Sequence, residues 1–113
     1  MDGNDLMKGH LRLNVLVFRE GDRWVAQVLE KDMAAHGETP YAALSAIGMI
    51  IQAHVNFDTF HQRTPFSRLD RAPDVYWDVM ERATPLPQPE SWRLMPASIV
   101  ARQTNERIAG RTS

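Results

Sequence analysis

Three groups of side chains in this sequence have the types and spacing that chemistry needs. His54, Asp58 and His61 step by four and then three residues, so on one continuous helix they would share a face. Two imidazoles and a carboxylate make a plausible zinc set. Against that, Asn56-Phe57-Asp58-Thr59 reads as a helix ending, and His-x-x-x-Asp recurs often by chance. The three therefore read as solvent-exposed polar residues. Glu30 and Asp32, with His36 beyond them, offer paired carboxylates and an imidazole for acid–base work. The same charges serve equally to solvate a turn and guard a sheet edge, and that reading is preferred. Tyr76, Trp77 and Trp92 could stack on nucleic-acid bases, but Asp74, Asp78 and Glu81 surround the first two with negative charge. Ser45 has no base within a helical turn to activate it. No catalytic, cofactor-binding or metal residue is assigned, and the chain reads as a non-enzyme.

The elements that must position these groups follow from periodicity. Leu11, Leu13, Val15 and Val17 share one strand face, while Leu16 and Phe18 add apolar bulk to the other. Arg19 to Arg23, with Gly21 at its centre, suits a hairpin loop, and Trp24 to Glu30 is the returning strand. A third strand, Met33 to Gly37, completes a meander. Thr39-Pro40 then marks a helix start: threonine caps, and proline at the first helical position loses no hydrogen bond.

That helix is expected from Pro40 to about Asn56, with Tyr41, Leu44, Ile47, Ile51 and Val55 on one face. Met49, Ile50, Ala53 and Phe57 leave it apolar on a second side as well, which demands a second covering. A second helix is expected from Pro73 to Ala83. Pro85, Pro87 and Pro89 force an extended crossing, and Trp92 to Met95 is either a short strand or an anchor on the core. Pro96 to Ala109 is read as a final helix with Ile99, Val100 and Ile108 as contacts. The chain thus divides into a flexible N-terminus (1–10), a core (11–57), a linker (58–72), and a C-terminal helix with extension (73–113).

Composition narrows the classes. At 113 residues with 43% apolar content, one domain can bury a core without staples. The absence of cysteine removes disulfides and thiolate sites and fits a cytoplasmic setting. Thirteen basic and fourteen acidic residues leave no field to recruit nucleic acid or membrane, and no run is apolar enough for a span.

The stretch from Val25 to Thr39, followed by Pro40-Tyr41-Ala42-Ala43-Leu44, resembles the N-terminal domain of the HicB antitoxin family, particularly its short stand-alone members. The shared signals are a hairpin, an acidic crossing, a Gly-x-Thr turn at Gly37-Glu38-Thr39, and a helix opening with small residues and leucine. The resemblance covers roughly Leu11 to Phe57. It implies an α+β fold: a β-β-β-α-β unit with its helix packed on an antiparallel sheet, commonly dimeric. The C-terminal helix and proline-rich extension are additions to it. Full-length HicB antitoxins carry a DNA-binding module, but here Pro85, Pro87, Pro89 and Pro96 interrupt the segment where one would lie. The proline-containing loop usual between the second and third strands is replaced by Glu30-Lys31-Asp32.

The functional expectation is an antitoxin-like binding protein that acts by protein–protein association, with a small toxin as partner and no DNA-binding module. An accessory homodimer of unrelated function is the alternative, followed by a small enzyme with a carboxylate–histidine site. Homodimerisation is expected through Leu16, Phe18, Ile50, Val75, Tyr76, Trp77 or Trp92, because apolar faces of this extent are seldom left uncovered.

Overall fold

The computed structural model describes residues 11–61, 70–95 and 97–108. The expected N-terminal segment, 1–10, and most of the expected linker lie outside the described residues. Two strands, β1 (Leu11–Glu20) and β2 (Arg23–Val28), form an antiparallel hairpin in which Val15 faces Val28 and Glu20 faces Arg23. The two-residue turn closes because Gly21 takes φ 65, a left-handed conformation that costs a glycine little. Then β3 (Met33–Gly37) pairs antiparallel with β2. The meander agrees with the sequence expectation.

The chain next enters α1 (Pro40–Phe60). Thr39 is the N-cap in extended backbone, and its hydroxyl accepts the Ala42 N–H at 3.0 Å. Thr39→Ala should therefore lower stability by about 1 kcal/mol in denaturant unfolding, while Thr39→Ser should nearly retain it. The helix runs four residues beyond Asn56 because Asp58 turns towards the core and is only 6% exposed, so the Asn-Phe-Asp-Thr run does not stop it. Gly37 makes the crossing possible. A side chain there would press on the Ala43 amide nitrogen and sit 2.8 Å from Ala42 Cβ.

A second helix, α2 (Asp74–Met80), is shorter than the spacing suggests. The last stretch departs most. Residues expected as a final helix instead form β5 (Ala97–Gln103), parallel to β1, with Leu11 facing Ala97 and Val17 facing Gln103. Its alternation explains why: Ile99 and Ala101 are buried, whereas Ser98 and Val100 are exposed, a period of two. A two-residue strand, β4 (Thr84–Pro85), pairs on its far side. The sheet is accordingly mixed, in the order β3-β2-β1-β5-β4, and not purely antiparallel.

Helices cover both faces of this sheet. On one, Val15, Val17, Ala26, Val28 and Ile99 meet Leu44, Ile47, Ile51 and Val55 of α1. On the other, Leu16, Phe18, Val25 and Leu29 meet Tyr76, Val79 and Met80 of α2, with Ile108. A 3-10 turn, Glu90–Leu94, inserts Trp92 into the α1 side. The architecture is a compact α+β fold with a five-stranded sheet between two helices.

Candidate functional site

The acid–base candidates lie around the β2–β3 turn, and each is held by a neighbour. Glu30 accepts two bonds from Asn14, one from its backbone N–H at 2.7 Å and one from its amide Nδ2 at 2.6 Å. In this way the carboxylate extends the edge of the β1–β2 ladder. Asp32 accepts the Gln27 amide Nε2–H at 2.7 Å. Gln27 is only 1% exposed, and its second bond goes to the Val28 carbonyl at 3.1 Å, so Asp32 satisfies a buried donor. The Asp32 backbone N–H in turn reaches the Asp70 carbonyl, and Ala72 N–H reaches the Leu29 carbonyl at 2.8 Å. These bonds fasten the approach to α2 onto the sheet end.

His36 stands at the far end of β3 from Asp32, roughly 13 Å along the strand at about 3.3 Å per residue. Its Nε2 lies 3.6 Å from Glu20 across the sheet. The structure therefore separates the carboxylate pair from the imidazole that sequence placed beside it.

The histidine set on α1 does not assemble either. With α1 reaching Phe60, His54, Asp58 and His61 do fall on consecutive turns. Yet Asp58 is buried, and His61 packs at 4.3 Å and 5.2 Å from the rings of Phe57 and Phe60. Among the described residues no group of three potential ligands is placed to hold a metal ion.

The expected interface residues are distributed by the sheet. Leu16 and Phe18 are 0% and 1% exposed because α2 covers them, and Tyr76 is buried with them. Trp92 is buried on the opposite side, under α1. These four are enclosed by their own chain and offer no surface to another. Val75, Trp77 and Ile50 are half-buried. Trp77 donates to the Ala72 carbonyl at 3.3 Å, and Arg71 lies 4.5 Å from its ring centroid.

Sequence reasoning did not single out the open groove of about 410 Å³ where α1 begins. Tyr41, Leu44, Leu86 and Pro87 make it apolar, and among the described residues no carboxylate, imidazole or amine lines it, so it offers contact area rather than catalysis. A more polar depression of about 380 Å³ adjoins it, sharing Leu86 and Gln103. Arg82 at its rim is engaged in a two-pronged pair with Glu106, at 2.7 Å and 2.8 Å. Hydrogen bonding to Arg82, with its positive charge, holds the Glu106 carboxyl below the ordinary glutamate range. Because the folded-state value is lowered, this contribution is full above the ordinary range and is lost as pH falls through the lowered value. Titration followed by NMR should find Glu106 below the ordinary glutamate range, and Arg82→Gln should return it there.

No family model, curated protein or solved structure matches the chain. Among the described residues no helix is long and apolar enough to cross a membrane.

Proposed function

We propose that the chain is a HicB-like, antitoxin-like binding protein that acts by associating with another protein, a small nuclease toxin being the partner class the resemblance implies. The observation that carries this reading is the Gly37-Glu38-Thr39 crossing. Gly37 is needed because the Ala42–Ala43 backbone closes on it, and Thr39 caps the helix that follows. The motif behind the resemblance thus has a definite mechanical role in joining meander to helix. The engagement of Glu30 by Asn14 and of Asp32 by Gln27 favours binding over acid–base catalysis, since both carboxylates secure local structure. Residues after Ala83 supply β5 to the central sheet, which leaves that segment committed to the fold.

Affinity purification from the native host, followed by mass spectrometry, tests the reading. A stoichiometric small basic nuclease, encoded by a neighbouring reading frame, is the expected result. Repeated recovery of this chain alone would overturn it in favour of an accessory homodimer.

A further inference from the structure

The outer edge of β3, we infer, takes an extended segment of another protein as an added strand, apolar at alternate positions and basic at its ends. The inference rests on the binding reading above and names the surface that does the binding. The two ends of the sheet are finished differently. At one end β4 is only two residues long and includes Pro85. The crossing after it closes on β5, with the Leu86 N–H donating to the Ala101 carbonyl and the Gln88 amide to the Ile99 carbonyl. Short strands and proline are common guards of a sheet edge. At the other end β3 has neither lysine nor proline, and among the described residues it pairs with β2 alone. A strand paired on one side presents a row of unused N–H and carbonyl groups on the other.

Helix α1 adds a second element to this edge. It lies along β3 more closely than along any other strand, and a Cβ at Gly37 would meet Ala42 and the Ala43 backbone. Tyr41, Leu44 and Gly48 face the opposite way, towards Leu86, Pro87 and Trp92. By helical spacing the flank above the β3 edge is therefore Ala46, Ile50, Ala53 and Phe57, in steps of four, three and four. Ala46 and Ile50 are half-buried, Ala53 is exposed, and Phe57 is 48% exposed. A strand laid beside β3 would place its main chain on the open edge and every second side chain under this apolar flank. Main-chain pairing combined with pockets for alternate side chains is how sheet edges capture extended peptides.

Charge selects the occupant. Asp32 precedes β3 and Glu38 follows it, and both are exposed. A second copy of β3, antiparallel about Ala35, would set Asp32 against Glu38 at each end, and like charges directly opposite are destabilising. Its residues towards the helix would be Met33, Ala35 and Gly37, of which the last two are too small to cover Ile50 and Phe57. A strand with lysine or arginine at its ends and β-branched residues towards α1 meets both demands.

The probe is the capped peptide Lys-Val-Thr-Val-Thr-Val-Lys, which spans residues 32–38 and reads the same in either strand direction. Titrated into the full chain, it should shift the NMR signals of β3 and the α1 flank and slow amide exchange along the β3 edge. Methylating the peptide nitrogens that face β3 should abolish binding, whereas methylating the alternate set should not. Ala53→Lys should weaken binding about tenfold, since it sets a charge against apolar side chains. Glu38→Lys should weaken it too and should favour the same peptide ended in glutamate. Val100→Lys, on an exposed residue of β5, should change nothing. No protection of β3 at millimolar peptide, equal loss from both methylated sets, or indifference to Ala53→Lys would overturn the inference. Protection of β3 that needs no peptide and grows with protein concentration would do so as well, by giving the edge to a second copy. A recovered nuclease that leaves the β3 amides unprotected would refute this surface and keep the partner. Peptide capture with no nuclease recovered from the host would do the reverse.

Discussion

Trp92→Ala should lower the free energy of unfolding by about 3–5 kcal/mol, and it should reverse the sign of a second substitution, Gly48→Ala. Trp92 is 5% exposed, carried by the 3-10 turn at Glu90–Leu94, and packed with the core between sheet and α1. Its indole lies directly against Gly48. A Cβ at that position would overlap Nε1 and come within 3.1 Å of Cδ1. In the middle of a helix, alanine ordinarily gains about 1 kcal/mol over glycine. Here the added methyl displaces a rigid, enclosed ring, so Gly48→Ala should instead cost roughly 1–3 kcal/mol. With Trp92 truncated the overlap disappears, and Gly48→Ala should recover its intrinsic gain. Denaturant unfolding of the four proteins in this cycle measures the coupling. Equal effects of Gly48→Ala in both backgrounds would place the indole elsewhere. The Trp92 Nε1–H has no hydrogen-bond partner among the described residues, so Trp92→Phe should cost much less than truncation.

The elements that were legible from sequence are those whose signals are local. Thr39-Pro40 announces a helix through capping and proline geometry, and the helix begins there. Gly21 among polar residues announces the hairpin, and it adopts positive φ. Where the deciding interaction is distant, the local signal misleads. β5 joins β1 from more than eighty residues away, and its inward positions include the small Ala97 and Ala101, so the strand period is faint. The end of α1 shows the same competition: Asn56-Phe57-Asp58-Thr59 has the composition of a helix ending, yet Asp58 is buried and the helix continues to Phe60.

The candidate site was legible only as a set of residue types. Glu30, Asp32 and His36 are close in sequence, but an extended strand separates Asp32 from His36, and local donors occupy both carboxylates. Strand pairing sets those distances, and nothing in the spacing reveals the donors. That Leu16 and Phe18 required a cover was legible from alternation along β1. Whether the cover would be an intramolecular helix or a second chain was not, because burial within a protein and burial between proteins select the same side chains.

Phe18→Ala is the experiment in which that distinction becomes measurable, with an expected loss of about 3–5 kcal/mol. Phe18 is 1% exposed on the α2 side of the sheet, and its ring stands 5.8 Å from that of Tyr76 at an interplanar angle of 48°. The tilted pair adds about 0.5–1.5 kcal/mol beyond the burial of its area. Truncation leaves a cavity among Leu16, Val25, Val79 and Met80, and α2, only seven residues long, has little helical stability of its own with which to hold its place. Amides of α2 should consequently lose exchange protection before those of β1. The loss should appear in the unfolding of a single chain and be independent of protein concentration, while the associated mass of the folded protein is unchanged. If Phe18→Ala instead halved the mass and cost less than about 1 kcal/mol, a level typical of a contact outside the core, the Phe18 face would belong to the second copy and the α2 layer would have to be redrawn.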